Sequence, residues 1–468
     1  MVQEQIAELI AAELPFALTE EQREATLRLG AFIADPRSER CFALRGFAGT
    51  GKTTLVGALV KVLRKAKIPV VLLAPTGRAA KVFSLHAGGE AHTIHRTIYR
   101  QETFKGEDTP FQLGFNKLKH AVFIVDEASM IASGTGTMGD SLFGSGEVLD
   151  DLIRFVYEGE GNRLLFVGDT AQLPPVGEDD SPALLREVLV GYGLLVSGIQ
   201  LTQVIRQAEE SAVLTNATRL RTLLETSDYM LDAPPEITFG EEVINLPGSE
   251  LIEALYTAYH EYGTDGTVVI TRSNRQANIY NNGIRARIFD RDDILCRGDL
   301  VMAVKNNYHW LKDGFIANGD VAEVISFHNC HEQYGFLFAD VTLRFPDYDD
   351  RELDCRVLLS TLQSESPSLT HEEQHQLYER VMEDYAHLPS KKERLKGLRE
   401  DPYYNALQLK YAYAVTCHKA QGGQWPRVFV DQGYITEDAM DLNYLRWLYT
   451  AFTRTTDRLY LINWTSGK

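Results

Sequence analysis

The sequence predicts an α/β protein with two parallel-sheet domains, the first ending and the second starting near residue 211. Three observations carry that expectation. The β-rich apolar runs are continuous rather than alternating, the pattern of strands covered on both faces. They alternate with helical patterns, as βαβ units do. They also fall into two sets, separated by chain of a different texture. The first set is CFAL at 41–44, VVLLA at 70–74, VFIV at 122–125 and LLFV at 164–167; the second is VVIT at 268–271, VFV at 428–430 and LYLI at 459–462. Residues 1–211 are therefore assigned to the first domain, and 212–317 with 406–468 to the second. Between 318 and 405 the chain turns to short strand-like pieces at 321–327 and 335–345, an acidic stretch with prolines, and a polar helical run around 371–385. That stretch is expected to be an insertion with its own small fold. A shorter insertion at 96–117 is expected to be a β-hairpin turning at Gly106, Glu107 and Asp108.

A chain of 468 residues, 44% hydrophobic and 24% charged, has globular composition and enough length for several cores, which excludes a disordered or fibrous protein. No apolar run reaches the roughly 18 residues of a membrane helix. The N-terminus, MVQEQIAELIAAELPF, is amphipathic and acidic where a secretory leader would be basic and then apolar, so a cytoplasmic location without membrane partners is expected. Five cysteines, Cys41, Cys296, Cys330, Cys355 and Cys417, form no C-x-x-C pair and have no histidine at metal spacing; all are expected to be buried thiols. The balance of 47 basic against 65 acidic residues gives −18, which on its face argues against a nucleic-acid partner. The distribution reverses that argument. Residues 59–105 carry nine basic and two acidic side chains, whereas 107–180 carry four and fourteen.

GFAGTGKTT at 46–54 fits G-x-x-x-x-G-K-[ST] and lies where that loop must lie, after the strand CFAL and before the helix LVGALVKVL. Gly46, Ala48, Gly49, Thr50, Gly51, Lys52, Thr53 and Thr54 are expected to surround ATP. Backbone N–H groups and the helix N-terminus would face the phosphates, Lys52 would reach the β and γ groups, and Thr53 would offer a hydroxyl to Mg²⁺. AVFIVDEAS supplies the strand ending in carboxylates that an ATPase needs: Asp126 for the Mg²⁺ shell and Glu127 to position or deprotonate water. A third strand runs through RLLFVGDTAQLPPVG to Asp169 and Gln172, with Gln172 reaching toward the γ-phosphate. Arg206 and Arg454 are candidate cations against the charge that develops there.

With GFAGTGKTT, VDEAS, GDTAQLPPVG, LTQVIRQ, AVTCHKAQGGQW and LYTAFTRTTDRLYL in this order, the chain resembles superfamily 1 helicases of the 5′→3′ branch, superfamily 1B, that includes RecD-like and Dda-like proteins. The resemblance implies two RecA-like domains, a β-hairpin insertion in the first and an SH3-like β insertion in the second. It places Lys52, Thr53, Asp126, Glu127, Gln172, Arg206 and Arg454 in the phosphate loop, the Mg²⁺ carboxylates, the sensor glutamine and two arginine fingers. It makes LTEEQREA an adenine-reading segment with Gln22 on the base. APTGRAAKVF and AHTIHR resemble motifs along the nucleic-acid backbone, giving Pro75, Thr76, Arg78, Lys81, Thr93 and His95. TRSNRQANIYNN and AVTCHKAQG resemble the opposing contacts, giving Thr271, Arg272, Asn274, Thr416, His418 and Lys419. Hydroxyls, amides and scattered cations of this kind hold phosphates without reading base identity.

The 96–117 insertion falls where this branch carries a duplex-wedging pin. Phe104, nearest the turn, is the preferred wedge over Phe111 and Phe115, since an aromatic ring can stack on the last base pair. The acid-rich arm of the 318–405 insertion departs from the family pattern and is open to a protein partner. The implied function is an ATP-driven, monomeric DNA helicase that translocates on single strands and opens forked duplex. Two alternatives stand beside it: a P-loop regulator or assembly ATPase acting on DNA without separating strands, and an RNA helicase of the same superfamily. The second-domain set Thr416, His418, Lys419 and Arg454 speaks against the first, and competition between DNA and RNA oligonucleotides separates the second.

Overall fold

Strand residues that are apolar on both sides must be covered on both sides, and the layers of this protein follow from that requirement. The computed structural model describes residues 2–14, 16–100, 112–134, 147–205, 211–226, 231, 233–311 and 315–465. In chain order β1 (Arg40–Gly46), β2 (Val70–Ala74), β3 (Ala91–Thr93), β6 (Val122–Val125), β7 (Arg163–Gly168) and β8 (Leu195–Leu201) build an all-parallel sheet ordered β3-β2-β6-β7-β1-β8. One face is packed by α1 (Val2–Ala12), α2 (Glu20–Ala34), α3 (Lys52–Lys65) and α4 (Gly77–Ala87). The other is packed by α5 (Ile94–Ile98), α6 (Val148–Glu158) and α7 (Arg186–Gly191). Strand β7 shows the division: Leu165 and Val167 enter the first core, Leu164 and Phe166 the second. Strands β4 (Tyr99–Arg100) and β5 (Gln112–Leu113) pair antiparallel at the base of the shorter predicted insertion. Its turn, with Phe104 and Phe111, lies outside the described residues.

The second sheet is also parallel, ordered β16-β10-β17-β18-β9, from β9 (Val243–Leu246), β10 (Thr267–Thr271), β16 (Ala414–Thr416), β17 (Trp425–Asp431) and β18 (Thr455–Ile462). It packs with α8 (Ala212–Glu225), α9 (Leu251–Tyr262), α10 (Asn274–Arg287), α13 (Cys417–Ala420) and α14 (Leu442–Phe452). Between β10 and β16 the chain forms a closed barrel of β11 (Leu300–Ala303), β12 (Val321–Gln333), β13 (Phe336–Phe345), β14 (Arg351–Leu358) and β15 (Leu407–Tyr411). The alternating burial of β13 is that of a barrel wall, and two register breaks in β12 supply the curvature. Helices α11 (His371–Asp384) and α12 (Lys391–Glu400) close one end over Phe336 and Phe338. The barrel reaches past 318–405 on both sides, because a closed wall needs β11 and β15 from the flanking chain.

A buried ion pair fixes the barrel to the second sheet. Asp299, fully buried, accepts from Arg285 Nε and Nη2 at 2.9 Å each, from Arg291 Nη1 at 3.1 Å and from the Cys296 N–H at 2.7 Å. Removing one partner of such a pair strands the other charge in a dry interior. Asp299→Ala is expected to lose about 3–5 kcal/mol in chemical denaturation, and a loss near zero would show that the pair carries none of the barrel's attachment.

Burial of the cysteines differs from expectation. Cys41, Cys355 and Cys417 are buried, but Cys330 is exposed and Cys296 half-buried. Cys330 sits in the irregular stretch of β12 beside a register break, where the strand leaves the barrel core. Cys296 lies in the loop before β11, its sulfur 3.6 Å from Arg285 Nη2.

Candidate functional site

Parallel strands present all their C-terminal ends at one edge, where open α/β sheets bind ligands. At that edge β1 runs into the glycine loop, β6 into Asp126 and Glu127, and β7 into Asp169 and Gln172. The loop takes its shape from glycines in left-handed backbone, Gly49 at φ 76° and Gly51 at φ 83°. Gly51 caps α3, so Lys52 begins the helix and Thr53 and Thr54 follow in its first turn. Lys52 Nζ donates to Phe47 O at 2.9 Å and Thr50 Oγ1 to the same oxygen at 2.8 Å, which folds the loop around a small concavity. A side chain at Gly46 would sit 2.9 Å from Thr50 Oγ1.

The carboxylates are held under tension. Burial first, and the charge of Glu127 second, push the Asp126 carboxyl well above the usual range, while Lys52 acts the other way. Glu127 occupies left-handed backbone at φ 51°, a conformation that costs a non-glycine residue about 1–2 kcal/mol. Its N–H is held by Asp126 Oδ1 at 2.9 Å. Asp169 is likewise raised, chiefly by burial. Gln172 is buried, and among the described residues its Oε1 finds no partner although it borders the cleft.

The cleft holds about 550 Å³ and lies between the two sheets, lined on the far side by Gln424 and by Thr453 to Asp457. Arg454 enters it from the end of α14, 3% exposed, with Nη1 3.8 Å from Glu127 Oε1. Tyr449, from the same helix, donates to Asp169 Oδ2 at 2.7 Å and accepts from the Ala48 N–H at 2.8 Å. Arg206 lies outside the described residues; the neighbouring Ile205 N–H donates to Gly49 O at 3.1 Å. Gln22 reaches the loop, and both of its polar atoms already have partners. Its Oε1 accepts from the Thr19 N–H in a capping box at 3.1 Å, and its Nε2 donates to Thr50 O at 3.0 Å.

The predicted strand contacts also gather at sheet edges, yet many are turned to internal tasks. Pro75 follows β2. Thr76 and Thr93 cap α4 and α5, accepting from Ala79 N and Arg96 N. Thr271 is fully buried and donates to Ser273 O at 3.1 Å. His95 packs against Phe315 and Tyr99, and burial lowers its pKa to about 4, so it is neutral at pH 7. Arg78 lies 4.1 Å over the Trp425 ring across the domain boundary, and Gly422 abuts Ala79 so closely that a Cβ there would stand at 2.7 Å. Lys81 donates to Pro346 O at 2.9 Å and pairs with Asp347 at 3.3 Å, both in the turn after β13. Lys419 donates to Asn318, beside His418 in one interdomain groove with Thr76 and Arg78. Arg272 lies 5.7 Å from the Tyr444 ring. Asn274 opens α10 and Thr416 precedes α13. The structure thus brings together the residues expected at a nucleotide and leaves the two halves of the expected strand face pressed against one another.

Asp169 appears in the sequence as a strand end without a task, and nothing local in the sequence marks Tyr449, Thr450 or Gln421. Tyr449 lies within the segment LYTAFTRTT, five residues before Arg454, but nothing in that spacing says which loop its hydroxyl meets.

Two family models match the chain: an AAA domain over residues 17–226 and a UvrD-like helicase C-terminal domain over 411–462. Among curated proteins the chain is similar to the ATP-dependent RecD2 DNA helicase of Deinococcus radiodurans, 26% identical over 440 residues, which is 90% of this chain and 46% of that protein. It therefore spans about half the length of that relative. It is also similar to the uncharacterized protein R530 of Acanthamoeba polyphaga mimivirus, 21% identical over 514 residues, 90% of this chain and 95% of the other. Among solved structures it is similar to the Pif1 helicase from Bacteroides in complex with ADP-AlF3 and single-stranded DNA, 17% identical with a TM-score of 0.45, covering 95% of this chain and 92% of that one. No helix among the described residues is long and apolar enough to cross a membrane.

Proposed function

We propose that the chain is a RecD-like protein of helicase superfamily 1B that hydrolyses ATP between its two RecA-like domains to move along single-stranded DNA and open duplex ahead of it. The observation that carries the reading is the cleft itself. A glycine loop at a helix N-terminus, two strand-end carboxylates and a glutamine from one domain face a buried arginine from the other.

In this reading the loop N–H groups and Lys52 bind the phosphates. Thr53 and Asp126 are hard oxygen donors of the kind Mg²⁺ takes, and the raised Asp126 carboxyl marks a place where a cation would be favourable. They would hold the Mg²⁺, which when bound neutralises phosphate charge. Glu127 orients the attacking water and takes its proton, Gln172 fixes that water against the γ-phosphate, and the phosphate leaves with ADP behind it. Arg454 now faces Glu127; a bound triphosphate would compete for it, and the exchange would draw the domains together. Arg206 is proposed as a second cation on its position in LTQVIRQ.

The strand would cross the tops of both sheets through Pro75, Thr76, Arg78, Lys81, Thr93 and His95 on one side and Thr271, Arg272, Asn274, Thr416, His418 and Lys419 on the other. The closed groove of Arg78, Trp425 and Gly422 would have to part to admit it. Phe104 remains the proposed wedge, and the 318–405 stretch a surface for a protein partner. A 5′→3′ direction follows from the family branch. Strand displacement on forks carrying only a 5′ or only a 3′ tail tests the reading. ATP-dependent opening of the 5′-tailed fork alone is expected; ATP turnover with no displacement on either fork would support the non-unwinding ATPase instead.

A further inference from the structure

We infer that Tyr449 is a positioning residue that transmits movement of the second domain to the phosphate loop and the Gln172 loop together, an inference that rests on the ATPase reading above. Tyr449 belongs to α14, the helix that delivers Arg454 to the cleft. It is 1% exposed, and its hydroxyl is used twice, as donor to Asp169 Oδ2 at 2.7 Å and as acceptor from the Ala48 N–H at 2.8 Å. Two loops of the first domain therefore meet on one oxygen of the second.

The surrounding bonds make this a junction rather than an isolated contact. Leu173 N donates to Thr450 Oγ1 at 2.9 Å, and Gln421 Nε2 donates to Leu173 O at 2.7 Å. The loop from Asp169 to Leu173 is thus fastened to the second domain at three points, while the Oε1 of Gln172 within it has no partner among the described residues. The loop's frame is fixed on the second domain.

A phenol suits the task. It can donate and accept at once, and its ring, locked in the core, holds the oxygen without rotamer freedom. Tyr449 and Arg454 ride on one helix end, so a rotation that carries Arg454 toward the phosphates must also shift the hydroxyl. Through that oxygen the shift reaches Ala48 and Asp169, moving the phosphate loop and Gln172 in register. The bond from Tyr449 also favours the ionised form of Asp169 against its burial.

Tyr449→Phe keeps the ring and deletes both bonds. In the full chain, ATP turnover would be measured with and without an oligo-dT strand, beside binding of a fluorescent ADP analogue and the thermal midpoint. The expected result is an about tenfold lower strand-stimulated kcat with KM for ATP and analogue binding changed by less than about threefold, and a smaller stimulation by the strand. If the hydroxyl acts through Asp169, the double variant with Asp169→Asn is about as slow as the slower single variant. Wild-type stimulation in Tyr449→Phe overturns the inference, as does a double variant whose losses multiply. So does a merely structural pattern, in which the midpoint and analogue binding fall together. A wild-type chain that hydrolyses no ATP removes the underlying ATPase reading, a distinct failure visible before any variant is made.

Discussion

Lys52→Ala is expected to lower strand-stimulated ATP turnover by about 10³-fold or more while single-stranded DNA still binds. The side chain opens α3 at the N-terminal end, where the helix dipole already favours phosphate, and its ammonium rests 2.9 Å from Phe47 O. That contact is a single charge-assisted bond to a carbonyl, contributing about 1.5–3 kcal/mol, so its loss should not by itself unfold the domain. Alanine is also the best helix former for the vacated position. What disappears is the positive charge that would meet the β and γ oxygens. Turnover by a coupled assay and strand binding by fluorescence anisotropy separate the two effects. Near-normal turnover in the variant would place the ATP phosphates somewhere other than this loop.

Arg454 is the second large effect. Its alanine variant is expected to lose about 10³-fold or more in kcat, the size of an arginine-finger deletion, with a much smaller change in nucleotide affinity. The guanidinium is nearly buried and donates to Thr450 O at 3.1 Å, Gly423 O at 3.4 Å and Thr453 Oγ1 at 3.2 Å. Alanine would therefore also loosen the end of α14. Arg454→Lys controls for this, since it keeps one charge but loses the planar fork. Single-turnover hydrolysis that stays slow in the lysine variant, with a thermal midpoint near that of the wild type, assigns the loss to chemistry. Full activity in either variant would remove Arg454 from the site.

The parts of this protein that could be read from its sequence are those whose signal is local. The phosphate loop is contiguous, flanked by its own strand and helix, and two of its three glycines, Gly49 and Gly51, take positive φ. The strands read correctly were those apolar on both faces. Strand β8 escaped because it is an edge strand with Ser197, Gly198 and Gln200 in a half-exposed run. Strands β11 and β15 were hidden because they look like second-domain strands until the barrel closes between them. Within the site, Lys52, Asp126 and Gln172 follow from motif order, whereas the Tyr449 junction depends on a bond across 280 residues. Gln22, Thr93 and Thr271 show the converse: a residue type that could meet a ligand is occupied in this structure with capping or core hydrogen bonds.

On the proposed reading, the turn after β13 stands in the way of the strand. Pro346 O and Asp347 hold the ammonium of Lys81, and the Tyr348 hydroxyl rests where a Cβ on Gly77 would stand 2.6 Å away. If Lys81 holds the strand as proposed, an approaching phosphate backbone and the protein's own barrel would be rivals for the same cation. Strand affinity on this reading is an exchange constant: the intrinsic grip is discounted by the fraction of molecules in which the turn has lifted. Only a glycine at position 77 lets the rival sit so close.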